Sequence, residues 1–546
     1  MLKLHTLRPP MSLKKILSLG LLLPVLTAAP LQAQADPTPA PPATRRTLVV
    51  QPFVICGDQL GDAPARMRIR EHYVDQVYAK AGIDFHFLEP IPYPNAAARD
   101  GEINLDQIVA ATRADGAYRG RGEILNTYFV NAVDGRRGPL GRGGMGRPIL
   151  FIALGAEPDV GIEAFVMAHE AGHCLGLRHS VDDPLVPDDL VNLMGDGPYL
   201  ERVGVDGLHA TQVETANTSP MVRPHIRCLD EDAARLAMLD ETFEPFFDRL
   251  QQREIAAFLG HRPTASTLPE ARAEAREAFE EAARGFAPEE AQALAWLTEG
   301  LVARLSTSYP LLAEHPWTFL KFDDGLCSGF SHTRGLSILF AERVVRRAVS
   351  LHEAGDLNAA LRRMGPLLVH EQMHVLERCY PSRFGALYRG LLGFEQGVVE
   401  NHPWLVERQV SNPDALTANW LIPLEEDGER RLYWPRTLLR DGPEVPRLGA
   451  DFLDVAVRVR KDGDRYEVVV DDAGLPVTRP LTELRAFLDR FPIRTGKDHP
   501  NEIAAYLFEQ VLLHDVLGVD PGDKGLPELV SGMRDWARQG LRIERD

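Results

Sequence analysis

Three histidines and a glutamate in "FVMAHEAGHCLGLRHS" (165–180) have the types and spacing to hold a metal ion and to hydrolyse a bond beside it. His169 and His173 are four residues apart, so on a helix both imidazoles face one way and can reach one ion. Glu170, one residue along, is placed to hold a water on that ion. Gly176 lets the chain leave the helix with positive φ, and His179 can then swing back as a third ligand. Three neutral imidazoles plus a water is the open pattern of catalytic zinc, whereas structural zinc closes its fourth position with protein. Such a zinc lowers the pKa of its water towards ~7 and acts as a Lewis acid. Glu170 is then placed to take the proton from that water.

A shorter echo, "LLVHEQMHVLERC" (367–379), repeats the core as His370, Glu371 and His374, but no glycine or third histidine follows. A metal there needs a ligand from far along the chain, and Glu395, Glu400, His402 and Glu502 are the candidates. The plain alternative is a helix with two ordinary, partly buried histidines. Arg334 and Tyr380 could assist a transition state at this second centre or serve only structure. Asp182, Asp183, Asp188 and Asp189, just beyond the first motif, could bind Ca2+, although a solvated turn accounts for them more simply.

"HEAGHCLGLRHS" resembles the zinc signature of the metzincin metallopeptidases, closest to their matrixin-like and pappalysin-like branches. "VNLMG" (191–195) resembles their Met-turn, which would place Met194 beneath the zinc. "LHATQVETANTSPMV" (208–222) looks like their closing helix. The resemblance covers roughly 47–228 and implies a mixed five-stranded sheet with substrate along an edge strand, for which "RPILFIAL" (147–154) is the candidate. It also implies that Pro198 and Tyr199 wall the specificity pocket, with a transition-state donor as the other role open to Tyr199. The C-terminal half is loosely similar to gluzincins, in which a glutamate from another helix completes a two-histidine site, and "HPNEIAAYLF" (499–508) then singles out Glu502. Where gluzincins often place an acidic residue four positions after that ligand, this chain has Tyr506.

The elements that must position these groups can be read from patterning. "TLVVQPFVIC" (47–56), "IDFHFLE" (83–89), "ILNTYFVNAV" (124–133) and "RPILFIAL" read as strands, with a helix over 64–81 stopped by Gly82. "DGRRGPLGRGGMG" (134–146) reads as a glycine-rich loop. Residues 230–312 are rich in helix formers, 337–345 is a strand candidate, and Pro366 fits the first turn of the second motif helix. "DFLDVAVRVR" and "RYEVVVDD" read as late strands, and a last helix begins near Pro500. The fold class is α/β (α+β): a metzincin-like domain over 47–228, a helical linker or domain start over 229–290, and a mostly helical domain with a small sheet over 291–546.

At 546 residues the chain exceeds a single core, and its net charge of −18 argues against nucleic acid or an anionic membrane as the main partner. Lys14-Lys15, the apolar run 16–30 and "AQA" at 33–35 have the form of a secretory signal over 1–35, followed by a Pro-rich leader over 36–46. No stretch after it reaches membrane length, so a secreted or periplasmic location is expected. For an exported chain, Cys56–Cys228 and Cys327–Cys379 are the favoured disulfides, with Cys174 a free thiol and a latency role for Cys56 less favoured. The reading is an exported zinc endopeptidase acting on protein or peptide substrates, with one zinc centre and a second at His370 and His374. Its rivals are a single-site protease whose C-terminal domain is a binding module, and a non-catalytic exported binding protein with a structural metal.

Overall fold

The computed structural model describes residues 45–133, 140–153, 160–186, 192–195, 207–415, 417, 419–426, 428–493, 496–520, 522 and 527–543. Its first sheet is built on one long strand, Arg46–Cys56, which is apolar along most of its length because both of its faces are covered. On one side it pairs in parallel with Ile83–Phe87 and then Ile91–Pro94, and on the other with Leu125–Phe129. Ile149–Ile152 follows in parallel, and Gly141–Gly143 closes that edge antiparallel. Val222–Pro224 pairs antiparallel with the start of the long strand. The sheet is mixed, as the resemblance implied, with seven strands rather than five. Helices Glu71–Tyr78 and Val160–Cys174 cover one face, while Leu105–Ala114 supplies Ile108 and Val109 to the core on the other.

Three expectations change here. The helix over 64–81 shortens to Glu71–Tyr78 plus a tight turn at Ala79–Ala81, because Ala65 is tied to the first strand through its N–H to the Ile55 carbonyl (2.7 Å). "RPILFIAL" contributes an interior strand, not the edge. The edge belongs to the glycine-rich segment read as loop, since sheet pairing is made by backbone and needs no side-chain pattern.

The chain passes from the first sheet to the second within a few residues: Val222–Pro224 belongs to the first, and Ile226–Cys228 pairs in parallel with Trp317–Phe322 of the second. Ser337–Ala341 and His332–Arg334 complete its other side. Helices Pro288–Leu305, Glu342–Glu353 and Leu357–Cys379 share the largest apolar core with it. Residues 337–345 split into a strand and the start of the helix Glu342–Glu353. The second motif helix begins at Leu357, where the Asp356 side chain caps it through the Ala359 N–H (3.0 Å), so Pro366 lies inside the helix and not in its first turn.

In the chain between that helix and the helix Pro500–Val511 comes a third sheet. Trp420–Glu426, Glu429–Leu439, Phe452–Asp462 and Arg465–Val468 run antiparallel in it, flanked by short strands at Glu395–Gln396 and Val399–Glu400. The C-terminal part therefore carries more sheet than its composition implied. All five cysteines are free. Cys56 and Cys228 sit in different sheets, and Cys327 and Cys379 in different apolar clusters, so neither expected pair meets. Burial pushes the thiols of Cys228, Cys327 and Cys379 up to about 12. Among the described residues no helix is long and apolar enough to cross a membrane.

Candidate metal centres

The first motif ends the helix Val160–Cys174, which is fixed to its surroundings by buried polar links. The Tyr78 hydroxyl donates to the Ala168 carbonyl (2.9 Å), and Arg68 pairs with the fully buried Glu163. At its end the Leu177 N–H returns to the Gly172 carbonyl (2.9 Å), and Gly176 takes φ +95°, a conformation that glycine adopts without strain. That turn brings His179 back over the helix. One donor atom each of His169, His173 and His179 lies within 4.8 Å of the others. His173 Nε2 and His179 Nε2 are 3.1 Å apart.

The remaining nitrogens explain the convergence. His169 Nδ1 lies 2.7 Å from the Leu193 carbonyl and His173 Nδ1 2.8 Å from that of Leu177. A ring that donates Nδ1–H to a carbonyl presents an Nε2 lone pair, the form a metal takes. Burial, which outweighs the opposing bond to Leu177, lowers the His173 pKa, and the neighbouring His179 lowers it further. Met194 is fully buried beneath the helix, with its Sδ so near Gly172 that a Cβ there would meet it at 2.5 Å. Its turn is held by the Asn192 side chain, which accepts from the Met194 N–H (2.8 Å) and is paired with Gln212 through two amide bonds (2.8 and 3.0 Å). Gln212 belongs to the helix Ala210–Thr218, so the closing helix and the methionine turn form one hydrogen-bonded unit.

Glu170 points towards the sheet edge, where the Gly143 N–H donates to its Oε2 (2.6 Å). Burial pushes its pKa up to about 6 against that bond. The edge strand passes so close that a Cβ on Gly141 would meet Glu170 Cγ at 2.6 Å, and one on Gly143 would collide with the Glu170 carbonyl. The glycines of "GRGG" are thus required for the strand to lie over the motif. Asp182 and Asp183 flank a short turn in which the Asp183 carboxylate accepts from the Leu185 N–H (3.0 Å), so the turn itself takes up that side chain. Asp188, Asp189, Pro198 and Tyr199 lie outside the described residues. Cys56 donates to the Gln59 carbonyl (3.5 Å) and is not among the donors gathered at the first motif.

The second motif occupies the middle of the helix Leu357–Cys379. Of the four candidate distant ligands, the structure brings Glu502 to it: Glu502 Oε2 is 3.4 Å from His370 Nε2 and its Oε1 3.5 Å from His374 Nε2. Glu395, Glu400 and His402 are elsewhere, at or beside the short flanking strands, with Glu395 paired to Arg430 and His402 capping a helical turn. Asn412 donates to Glu502 Oε1 (2.8 Å). Each histidine also has a carboxylate on its other nitrogen: Glu509 Oε1 on His370 Nδ1 (2.8 Å), and Glu377 Oε2 on His374 Nδ1 (2.9 Å). Sequence reasoning missed Glu377, Glu509 and Asn412. The signal for the first two was helical phase, since Glu377 lies three positions from His374 and Glu509 two turns from Glu502. Glu509 takes the place for which Tyr506 seemed a defect, and the Tyr506 ring packs against His370 with centroids 4.6 Å apart.

Electrostatics at this second cluster follow from burial. Desolvation works to lower the pKa of His370, but the hydrogen bonds of Glu502 and Glu509 overcome it and raise it. His374 is likewise opposed by burial, yet raised to about 9 by Glu502, Asp414 and Glu377. For Glu502, burial is outweighed by His374 and His370, which hold its carboxyl well below the usual range. Glu371 is pushed up to about 8 by burial, then by Asp414. His374 Nε2 and Glu371 Oε2 are buried without a hydrogen-bond partner. The cluster opens on a cavity of about 470 Å³ lined by Glu371, His370, Glu502, Phe330 and Phe452, among others. Tyr380 is turned away, its hydroxyl donating to the Phe87 carbonyl (2.9 Å), and Arg334 is buried 3.7 Å over the Phe246 ring.

No family model and no curated protein matches the chain. Among solved structures, archaemetzincin from Methanopyrus kandleri is similar at 14% identity over 33% of this chain and 97% of that one, with a TM-score of 0.22. A likeness at that level carries no weight for function.

Proposed function

We propose that the protein is an exported zinc-dependent endopeptidase whose main centre is His169, His173 and His179 with Glu170 as general base. The observation that carries the reading is the convergence of three imidazole donor atoms within 4.8 Å, on the side of the motif helix next to Glu170. The donor set fits zinc: three nitrogens, two of them oriented by backbone carbonyls on the opposite ring atom, with no fourth protein ligand in the group among the described residues. Bound there, zinc supplies Lewis acidity and a water of lowered pKa.

The chain's own groups do the rest. Glu170, titrating near 6, is anionic at neutral pH and can accept a proton and return it. The Gly143 N–H holds one oxygen of that carboxylate beside the edge strand. The edge strand Gly141–Gly143 offers backbone to which an extended peptide can pair.

The same proposal extends to a second centre at His370, His374 and Glu502, with Glu371 as base once the charge of a bound ion draws down the pKa that burial raises to about 8. His374 Nε2, buried with no hydrogen-bond partner and aimed at the Glu502 carboxylate 3.5 Å away, favours it over a helix with two ordinary histidines, because a bound ion between the two would satisfy both. Cleavage of a peptide library by wild type, Glu170→Gln, Glu371→Gln and the double variant tests the whole reading. Loss in Glu170→Gln with a residue of activity abolished only in the double variant supports two centres. Complete loss in Glu170→Gln alone leaves a single-site protease, and full activity in Glu170→Gln refutes the main assignment.

A further inference from the structure

Where the chain crosses from the first sheet to the second, it leaves a cavity of about 380 Å³ that neither motif uses. Thr47, Val49 and Ile124 wall it from the first sheet's side, and Thr318, Leu229 and Ser337 from the second's. Arg223 and Arg227 enter it from the two consecutive short strands Val222–Pro224 and Ile226–Cys228. Arg223 gives only its Nε, to the Pro220 carbonyl (3.0 Å), and Arg227 has no hydrogen-bond or ion-pair partner among the described residues.

Arg223 and Arg227 line this cavity with no direct ion pair to a carboxylate among the described residues, in a chain of net charge −18. The acidic groups of the same wall are oriented by backbone: Glu123 accepts from the Arg121 backbone N–H (2.8 Å) and Asp240 from that of Thr242 (2.8 Å). Arg121 in turn is spent on the carbonyls of Leu236 (3.3 Å) and Leu239 (2.8 Å). Burial, and then the nearby Arg227 charge, lower the Arg223 pKa, and the more distant pull of Glu123 does not offset them. The rest of the lining is largely apolar, including Met221, Leu336 and Leu236, the last 60% exposed at the rim.

We infer that this cavity binds a monocarboxylate with an apolar body, its carboxylate held by Arg223 and Arg227 and its hydrocarbon laid against Met221, Leu229 and Leu336. Guanidinium–carboxylate pairing is bidentate and strong where water is partly excluded. The volume suits a ligand of small-molecule size, and the apolar wall disfavours a bare inorganic anion. Such a carboxylate comes from a free fatty acid or from the C-terminus of a peptide ending in an aliphatic residue.

Calorimetry on the full chain distinguishes these sources, with octanoate and acetyl-dileucine as probes and octanol, acetyl-dileucine amide and inorganic phosphate as controls. Binding of either carboxylate, no binding of its neutral counterpart, and at least tenfold weakening in Arg223→Met/Arg227→Met are expected. Ala233→Trp, which fills the cavity while keeping both charges, should also block binding. Affinity unchanged in His179→Ala/His374→Ala keeps the site separate from the metal centres, and loss there overturns the proposal. It is equally overturned if neither acid binds, if the arginine variant binds as wild type does, or if phosphate binds as tightly as the acids.

Discussion

Replacing Glu509 tests how the second centre is built, because this residue touches no ligand atom and acts only through His370. Its Oε1 sits 2.8 Å from His370 Nδ1, while Nε2 of the same ring faces Glu502. A carboxylate on the far nitrogen fixes the tautomer and raises ligand basicity, and its loss typically costs 10–100-fold in metal affinity, about 1.4–2.8 kcal/mol. Glu509→Gln keeps an acceptor for Nδ1–H and removes only the charge, so a loss near tenfold is expected. Glu509→Ala removes both, and a loss near 100-fold is expected. Zinc is titrated against a chromophoric chelator in wild type and both variants, with circular dichroism to confirm the fold. The weaker class of sites should move in the order wild type, Gln, Ala, while the other class stays fixed. Two unmoved classes, or both moving together, would refute the placement of Glu509 behind a metal ligand.

Other outcomes follow from the same geometry. Gly143→Ala should cut cleavage by the first centre at least tenfold and lower stability by about 1–3 kcal/mol, because the new Cβ collides with the Glu170 carbonyl and lifts the edge strand; kinetics and thermal melts check this. In a Glu371→Gln background, kcat/KM should fall on the acid side with an apparent pKa near 6, since Glu170 must be ionised to accept a proton; an acid limb near 4.5 would contradict its burial. Glu71 is pushed up to about 8 by burial, so the folded state binds its proton more tightly than the unfolded chain does. Stability from this group is greatest below about pH 4.5 and falls as pH rises through 8, so Glu71→Gln should raise Tm at pH 8 more than at pH 5.

The first centre was legible because its parts are local. His169, Glu170 and His173 share a helix, and one positive-φ glycine returns His179, so spacing alone encodes the meeting. The glycine-rich segment ahead of it looked like loop because its role is close backbone approach, which leaves no side-chain signature. Glu502 was reachable only through a family resemblance. Two strands in residues 380–499 were readable, but nothing there announces that a larger sheet folds out of the way and returns the chain to His370. One strand of that sheet, "ERRLYWPRTLL" (Glu429–Leu439), went unread because Arg430, Arg431 and Pro435 break the apolar alternation, though partners on both sides hold it. The disulfides failed for the opposite reason: export argued for pairing, but pairing needs proximity, and neither expected pair shares a sheet or an apolar cluster.

Zinc content of the purified chain tests the central claim most directly, measured by mass spectrometry of the metal alongside peptide cleavage. Two zinc ions per chain are predicted, falling to one in His179→Ala with loss of the main activity, and to one in Glu502→Ala with that activity kept. A wild-type chain that takes up no zinc, or a His179→Ala variant with unchanged zinc and unchanged cleavage, would contradict it.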